Sequence, residues 1–419
     1  MTLDLPGRFL QSLRRLAVGG DESRIFEPSR NGQALGLAVS GGGDSMAMLH
    51  LAVGLGLPLR VVTVDHGLRV GSAAEAADVG RVCAGLGVPH EVLRWHWDER
   101  GNLQDAARRG RRALMAEWAQ AVGVGAVALA HTQDDVAETF LMRLARGAGV
   151  DGLSAMATCW QEAGVVWLRP LLAVSRAELR AHLRNVGVTW VEDPSNDNDR
   201  FERVRIRKAM MGLQDLGLTS QRLAEVAGHL AQARHALERA ANQAELRVIA
   251  PVGNALRLDV VALAVEAAEV QRRVMAAVFR RLVADDYAPR GAAVQDVLAR
   301  VLAGQPGTLA GVQFQVTRNG SWAYREFSAV AGLTCGADQV WDGRWQMAGH
   351  APDGAELRPL GAGIALCKGW RDIGLPRGAL LASPSLWLGE TLLAAPHAGF
   401  GPGYGVVPLF PVSGRHHSV

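Results

Sequence analysis

The sequence predicts an α/β protein with a doubly wound parallel sheet, followed by an α-helical domain and a small β-rich C-terminal domain. Short apolar or β-branched runs alternate with helical spacing in the first part of the chain, a pattern typical of parallel sheets. Long alanine-rich runs with helical character follow, and the last part consists of short apolar pieces rich in glycine, proline and tryptophan. A chain of 419 residues allows two or three domains at about 150 residues each.

The first part contains four predicted strands and several predicted helices. The strands are Leu35–Val39, Leu59–Val64, His90–Arg94 and Ala126–Ala130. Two helices are indicated by apolar residues at i, i+3, i+4 and i+7 spacing: Met46, Met48, Leu49 and Val53 in one, and Leu114, Trp118, Ala121 and Val122 in the other. Ser175 and Glu178 have the spacing of a capping box, which predicts a further helix that closes at Gly187.

The later parts of the chain differ in composition. The runs Thr219–Leu246 and Val260–Val283 predict long helices joined by Pro251–Gly253. From Cys335 onward, strands are expected in the short apolar pieces, which are Trp341–Met347, Ile364–Cys367 and Leu380–Trp387. We therefore expect domains at residues 1–213, 214–334 and 335–419, the first catalytic and the other two in contact with a nucleic acid if the chain binds one.

Composition excludes several classes of protein. Hydrophobic residues make up 49% and charged residues 20% of the chain, which is typical of a folded globular protein. The N-terminal segment has no apolar stretch of the secretory type, and the uncharged stretch Thr391–Gly414 is interrupted by prolines and glycines. The four cysteines form no CxxC pair. We expect a cytoplasmic protein with no membrane partner; the net charge of +3 is too small to indicate a nucleic-acid partner.

The segment Ser40–Ser45 follows a predicted strand and precedes a predicted helix. Three successive glycines let backbone N–H groups converge on phosphate oxygens at a helix N-terminus, and the two serines add donors. It is neither a Walker A loop, because lysine is absent, nor a dinucleotide fingerprint, because Met46 stands where a third glycine is needed. Asp44 would repel phosphates unless a Mg²⁺ ion lies between them, which predicts a metal ligand.

The SGGxDS pattern of this loop resembles the PP-loop family of N-type ATP pyrophosphatases, which have an adenine-nucleotide alpha-hydrolase-like fold. Further motifs follow in the order seen in tRNA(Ile)-lysidine synthetases. They are Val64–Arg69, Ala107–Arg111, Ala130–Thr139, Arg146–Gly149, Trp190–Asn196 and Phe201–Arg207. A looser resemblance continues through Arg358–Gly361, Trp370–Arg371 and Gly374–Arg377.

The resemblance implies a specific reaction. The C2 carbonyl oxygen of the wobble cytidine in the CAU anticodon of tRNA(Ile) is adenylated by ATP with Mg²⁺, and pyrophosphate leaves. The ε-amine of free L-lysine then displaces AMP. The product, lysidine, changes the codon that is read from AUG to AUA.

The resemblance and the charges together predict the site residues. Nucleotide binding is expected at Ser40, Gly41, Gly42, Gly43, Asp44, Ser45 and His131. Catalytic roles are expected for Asp44, Arg108, Arg111, Asp134, Asp135 and Glu138. The two arginines would face phosphate charge, and Asp134, Asp135 and Glu138 would face the lysine amine. Mg²⁺ is expected at Asp44 and Asp135, and tRNA phosphate at Arg203, Arg205 and Arg207.

Each assignment has a structural alternative. The acids could stabilise the dipole of their own helix, His131 could be a base, a nucleotide contact or a structural residue, and the arginine run could be a solvated helix face. The chain also departs from the usual family pattern at Thr132, Val136 and Arg112.

Other functions stay open at this stage. They are a tRNA thiolation enzyme, which normally needs paired cysteines that Cys83 and Cys159 do not provide, another PP-loop ligase, and a nucleotide-binding regulator without catalysis. Whether the protein forms a homodimer and which tRNA bases it reads are also open.

Overall fold

We describe the protein from a computed structural model. The structure describes residues 3–18, 34–67, 71–96, 103–191, 199–283, 289, 291–401 and 403–409. Described residues up to Arg234 form one compact unit, and those from His235 onward form a second. The expected division into three domains stays a prediction.

A six-stranded sheet forms the centre of the first unit. Its strands are β1 (Leu35–Ala38), β2 (Leu59–Asp65), β3 (His90–Arg94), β4 (Ala126–Leu129), β5 (Cys159–Glu162) and β6 (Val165–Leu168). They lie in the order β3-β2-β1-β4-β6-β5, with β5 antiparallel and every other neighbouring pair parallel. The predicted parallel sheet is confirmed, and β3 has the predicted bounds; the hairpin of β5 and β6 was not predicted.

Nine helices begin in the described part of the first unit, and some of them cover the two faces of this sheet. They are α1 (Leu5–Val18), α2 (Gly43–Gly54), α3 (Ser72–Gly85), α4 (Leu103–Ala121), α5 (Gln133–Leu144), α6 (Val150–Leu153), α7 (Arg176–Asn185), α8 (Glu202–Gln214) and α9 (Ser220–Val248), which continues into the second unit. Adjacent residues of β2 point to opposite faces, as the alternation of strand side chains requires. Val61 packs in a core with α2, α3 and α7, whereas Val62 packs in another with α4. The sheet is therefore doubly wound, as expected.

The order of the strands determines where a ligand can bind. The chain runs outward from β1 to β2 and β3, then returns to the other side of β1 to form β4. In such sheets, ligands bind at the carboxyl ends of the strands where the direction of winding reverses. Here that point lies between β1 and β4, and the segments that follow them are Ser40–Ser45 and His131–Glu138.

The second unit contains helices together with a sheet. The sequence predicted helices in this region but not the sheet. Its helices are α10 (Val260–Ala264), α11 (Ala268–Leu282) and α12 (Gly291–Leu302). The five-stranded antiparallel sheet has the order β7-β8-β11-β10-β9, formed by β7 (Ile249–Val252), β8 (Ala255–Leu258), β9 (Gly307–Leu309), β10 (Val312–Thr317) and β11 (Gly320–Arg325). Pro251 and Gly253, expected to join two helices, belong to the hairpin of β7 and β8.

The C-terminal region is rich in β-structure, as expected. Its strands are β12 (Cys335–Gly336), β13 (Trp345–Ala348), β14 (Glu356–Pro359), β15 (Pro384–Leu388), β16 (Thr391–Ala394) and β17 (Gly405–Pro408). The short helix α13 (Phe327–Val330) precedes β12, and α14 (Arg377–Leu381) and 3₁₀ turns at Gly361–Leu366, Trp370–Ile373 and Pro396–Ala398 lie between the strands. Ile364, in a piece expected to form a strand, lies in a 3₁₀ turn. No helix in the described ranges is both long and apolar enough to cross a membrane.

Replacing Leu37 by alanine is expected to lower the free energy of unfolding by about 2–5 kcal/mol, because a fully buried leucine in a central strand leaves a cavity. The control is Leu216→Ala, since Leu216 is 75% exposed and surface changes usually alter stability by less than about 0.5 kcal/mol. Urea unfolding followed by tryptophan fluorescence measures both. Equal midpoints would contradict the central position of Leu37.

Candidate active site

The glycine loop after β1 leads directly into the N-terminus of α2. Gly41 has a φ of +86°, in the left-handed region that favours glycine. Gly42 is the N-cap, and no side chain in the described part of the protein caps the helix. The N–H groups of the first turn of α2 therefore face a site that suits an anion.

The two serines of the loop have different surroundings. The Ser45 hydroxyl is buried and donates to the carbonyl oxygen of Gly42 at 2.9 Å. It also accepts the Ser40 N–H at 3.1 Å and lies 3.3 Å from the Ser40 hydroxyl. Ser40 itself is exposed. Ser45 therefore holds the loop closed, and Ser40 is the hydroxyl that faces outward.

Trp190 and Val191 pack against the same loop. The Val191 N–H donates to the Gly41 carbonyl oxygen at 3.2 Å. A methyl group on Gly43 would lie 3.1 Å from Cδ1 of Trp190, so a larger residue there would require the indole to shift. The rest of the Trp190–Asn196 motif lies outside the described residues, as do Leu68 and Arg69 of the Val64–Arg69 motif.

The acids that follow β4 are held by the start of α5. Thr132 is the N-cap, and its hydroxyl and N–H both donate to Oδ2 of Asp135, at 2.9 and 2.8 Å. Asp134 accepts the backbone N–H of Arg176 at 2.7 Å and the Ser220 hydroxyl at 3.2 Å. Asp135 closes a capping box. The alternative that the acids stabilise their own helix therefore applies to Asp135.

Glu138 lies one turn further along α5 and is almost fully buried, with 1% of its side chain exposed. Its Oε1 accepts from Nη1 of Arg176 at 3.2 Å and from Nε of Arg207 at 2.9 Å. Its Oε2 is buried, and no hydrogen-bond partner for it lies among the described residues. A buried carboxylate oxygen without a donor is costly, so this atom favours a ligand that donates.

Arg176 is the functional residue that the sequence analysis missed. Its Nε donates to Oδ2 of Asp44 at 3.1 Å and its Nη2 to Oδ1 of Asp135 at 3.1 Å, besides the bond to Glu138. It is the first residue of α7, where a positive charge opposes the helix dipole. That unfavourable position is the signal that could have identified it.

The acids respond differently to this arrangement. Burial raises the pKa of Asp44, although Arg176 acts against the shift. Burial also acts to raise the pKa of Asp135, but the charge of Arg176 and the Thr132 N–H outweigh it and lower the pKa. Arg176 keeps its charge, because the three carboxylates outweigh its own burial and raise its pKa.

Several arginines lie close together near the site. Arg111 on α4 lies within electrostatic range of Arg108 and of Arg203 on α8. Arg169 lies near Arg108 as well, and its guanidinium stacks over Trp160 at 4.1 Å. Such a group of like charges favours an anionic ligand.

The run Arg203–Lys208 does not form one open face. Arg207 donates to Glu138, and Arg203 lies within 3.5 Å of the Thr139 hydroxyl, so both contact α5. Arg205 is exposed and donates to the Asp199 and Arg200 carbonyl oxygens, and Lys208 is exposed beside Asp199. The structure thus brings Arg203 and Arg207 to the predicted catalytic acids and leaves Arg205 outside.

Comparison with known proteins identifies the family. A family model described as a PP-loop domain matches residues 20–214. A tRNA(Ile)-lysidine synthase from Ruegeria pomeroyi is 45% identical over 376 residues, which cover 88% of this chain and 90% of the relative. This chain belongs to the tRNA(Ile)-lysidine synthase family.

Other relatives of the same name agree. The relative from Zymomonas mobilis subsp. mobilis is 38% identical over 66% of this chain and 84% of its own length. The relative from Rhizobium meliloti is 36% identical over 82% of this chain and 79% of its own length. A solved U34-tRNA thiolase from Methanococcus maripaludis is 15% identical with a TM-score of 0.44, covering 54% of this chain and 78% of that one.

The departures from the usual lysidine synthase pattern have structural partners here. Thr132 supplies the cap of α5. Val136 is buried in a core with Met210 of α8 and Leu223 of α9. Nη1 of Arg112 donates to Oε2 of Glu162 in β5 at 3.1 Å. All three residues stabilise the first unit and leave the acids of α5 in place.

The two residues expected to hold Mg²⁺ do not form an open pair. Asp44 and Asp135 both accept from Arg176, and Asp135 also accepts twice from Thr132. No group of three or more metal-ligating side chains occurs among the described residues. Asp44 has fewer of these contacts than Asp135, since its carboxylate accepts only from Arg176 among the described residues.

His131 is expected to stay neutral across the physiological range. Burial, with the nearby charge of Arg169, lowers its pKa to about 3. In histidine-labelled protein, the His131 NMR signal, identified by its loss in His131→Asn, should not shift between about pH 8 and pH 5. A midpoint near the ordinary value of about 6.5 would contradict the buried, neutral state.

Proposed function

We propose that this protein is a ligase that joins lysine to C2 of the wobble cytidine of tRNA(Ile) with a CAU anticodon, converting ATP to AMP and pyrophosphate. Family membership makes it an ATP-using tRNA-modifying enzyme. The observation that carries the ligase proposal is Glu138, a buried acid with one oxygen that has no partner among the described residues. Arg176 joins this acid to Asp44 of the glycine loop.

The first half-reaction needs stabilisation of phosphate charge. The uncapped N-terminus of α2 offers N–H donors and Ser40 offers an exposed hydroxyl. Arg108 and Arg111 add positive charge, which stabilises the transition state of phosphoryl and nucleotidyl transfer. A Mg²⁺ ion bound by Asp44 and the nucleotide phosphates would neutralise the charge that develops on the leaving pyrophosphate.

The second half-reaction needs an amine that is first bound as a cation and then deprotonated. Oε2 of Glu138 is a buried acceptor with no described partner, which suits the lysine ammonium. His131 is neutral and therefore adds no repulsion, and its Nδ1 is also buried without a partner among the described residues. Loss of the proton to a carboxylate leaves a neutral amine that can attack C2 and expel AMP.

Arg205 and Lys208 are proposed as phosphate contacts of the tRNA. Both are exposed on α8, and cations on an open helix face gain affinity from phosphates by counterion release. Arg203 and Arg207 are proposed instead to shape the acid site, since both contact α5. A tRNA substrate also fits a cytoplasmic location.

The thiolation alternative receives no support from the cysteines. None of the four, all of which lie in the described residues, forms a disulfide, and burial raises the pKa of Cys83 to about 11, which suppresses the thiolate that sulfur transfer requires. Nor does a regulator need a buried acid whose second oxygen has no partner among the described residues and which Arg176 joins to the nucleotide loop.

The deciding experiment incubates the protein with ATP, Mg²⁺, radiolabelled lysine and a tRNA(Ile) transcript bearing a CAU anticodon. Lysine should enter the tRNA with AMP formed in equal amount. A transcript in which the wobble cytidine is changed to uridine should accept no lysine. A folded protein that binds ATP yet transfers no lysine would exclude the ligase.

Glu138→Gln should raise the KM for lysine by about tenfold or more, because it removes the charge that faces the ammonium, and should change the KM for ATP much less. The matched control is Glu225→Gln on the exposed face of α9, which should leave both KM values unchanged. Equal effects of the substitution on both substrates would contradict a lysine-binding role for Glu138.

A further inference from the structure

Arg176 connects two parts of the site that bind different substrates in the proposed reaction. Its Nε contacts Asp44, in the nucleotide loop after β1. Its two Nη atoms contact Asp135 and Glu138, on the helix after β4. These are three separate bonds of 3.1 to 3.2 Å from one guanidinium whose side chain is 17% exposed.

The three contacts of Arg176 cannot change independently of one another. A guanidinium is planar, so its three nitrogens cannot move independently. The backbone N–H of Arg176 is bound to Asp134, and the side chain of Asp135 is fixed by Thr132. A displacement of the guanidinium toward the nucleotide loop would therefore change its contact with Glu138. This is the acid whose Oε2 has no hydrogen-bond partner among the described residues.

Charge gives this displacement a direction. A Mg²⁺–ATP complex has a net negative charge, and it would bind next to Asp44, which holds one edge of the guanidinium. Because Mg²⁺ would occupy the Asp44 carboxylate, the phosphate oxygens of the same complex would become the acceptors for Nε of Arg176. They would draw the guanidinium toward the loop and weaken its bond to Oε1 of Glu138. A Glu138 carboxylate with less positive charge around it binds an ammonium more tightly.

We propose that Arg176 is a positioning residue that couples the two substrates, so that nucleotide binding at the glycine loop increases the affinity of the acid site for lysine. This inference rests on the proposed ligase function. A purely structural Arg176, which only neutralises buried acids, would support both sites without linking them.

The test measures L-lysine binding to the full chain by titration calorimetry, with and without Mg²⁺ and α,β-methylene-ATP, an analogue that cannot be cleaved between its α and β phosphates. In the wild type, the analogue should tighten lysine binding by about fivefold or more, the range of ordinary coupling between sites. Lysine should tighten binding of the analogue by the same factor, because linkage is reciprocal.

Two substitutions separate coupling from structural support. Arg176→Lys keeps the charge but loses the planar fork, and Arg176→Gln loses the charge; in both, the ratio of lysine affinities with and without analogue should fall to near one. The matched control is Arg184→Lys, on the same helix and exposed, which should retain the wild-type ratio. Circular dichroism checks that each variant is folded. If Arg176→Gln is unfolded, the charge-conserving variant Arg176→Lys alone provides the test.

The outcomes distinguish this inference from the ligase proposal. A wild-type ratio near one, or an unchanged ratio in the Arg176 variants despite weaker binding of both ligands, would overturn the coupling role. Either result can occur while wild-type protein still transfers lysine to tRNA, in which case only the coupling fails. If the wild type transfers no lysine, the ligase proposal fails first.

Discussion

The burial of acids next to a phosphate-binding loop is the constraint on which the site depends. Asp44, Asp135 and Glu138 gather between β1 and β4 because the winding of the sheet reverses there. Carboxylates so close together would repel each other and take up protons unless a cation lay between them. Arg176, at the start of α7, supplies that cation. The position of α7 against α2 is therefore as important to the site as the glycine loop.

Three helices begin near this point, and their N-termini serve different purposes. α5 and α7 are closed by capping boxes, through Thr132 with Asp135 and Ser175 with Glu178. α2 has only Gly42 at its N-cap and receives no side-chain cap from the described residues. Since an uncapped terminus retains free N–H donors and the positive end of the dipole, α2 is the helix suited to an anion.

Local signals in the sequence were sufficient for much of this architecture. β-branched runs predicted β2 and β3, and Ser175 with Glu178 predicted the start of α7, because each depends on neighbouring residues alone. The five-stranded sheet was missed although Val312 and Phe314 alternate with polar residues in β10, since the alanine-rich runs Thr219–Leu246 and Val260–Val283 that precede it dominated the pattern. The side chains of Arg176 and Arg207 bind acids that lie 38 to 132 positions away in the sequence, and composition and spacing cannot reveal such contacts.

Two sets of charges meet at the carboxyl edge of the sheet. Arg111 and Arg169 both lie within electrostatic range of Arg108 and form one set, and the other set consists of Asp44, Asp135 and Glu138 with the guanidinium of Arg176 bound among them. His131 is near both Arg169 and Asp135, and burial with the surrounding arginines keeps it neutral. A charged histidine there would repel an incoming ammonium and compete for Asp135. In the proposed reaction, a neutral His131 would therefore leave the acids available to the lysine ammonium while phosphate charge is balanced by the arginines.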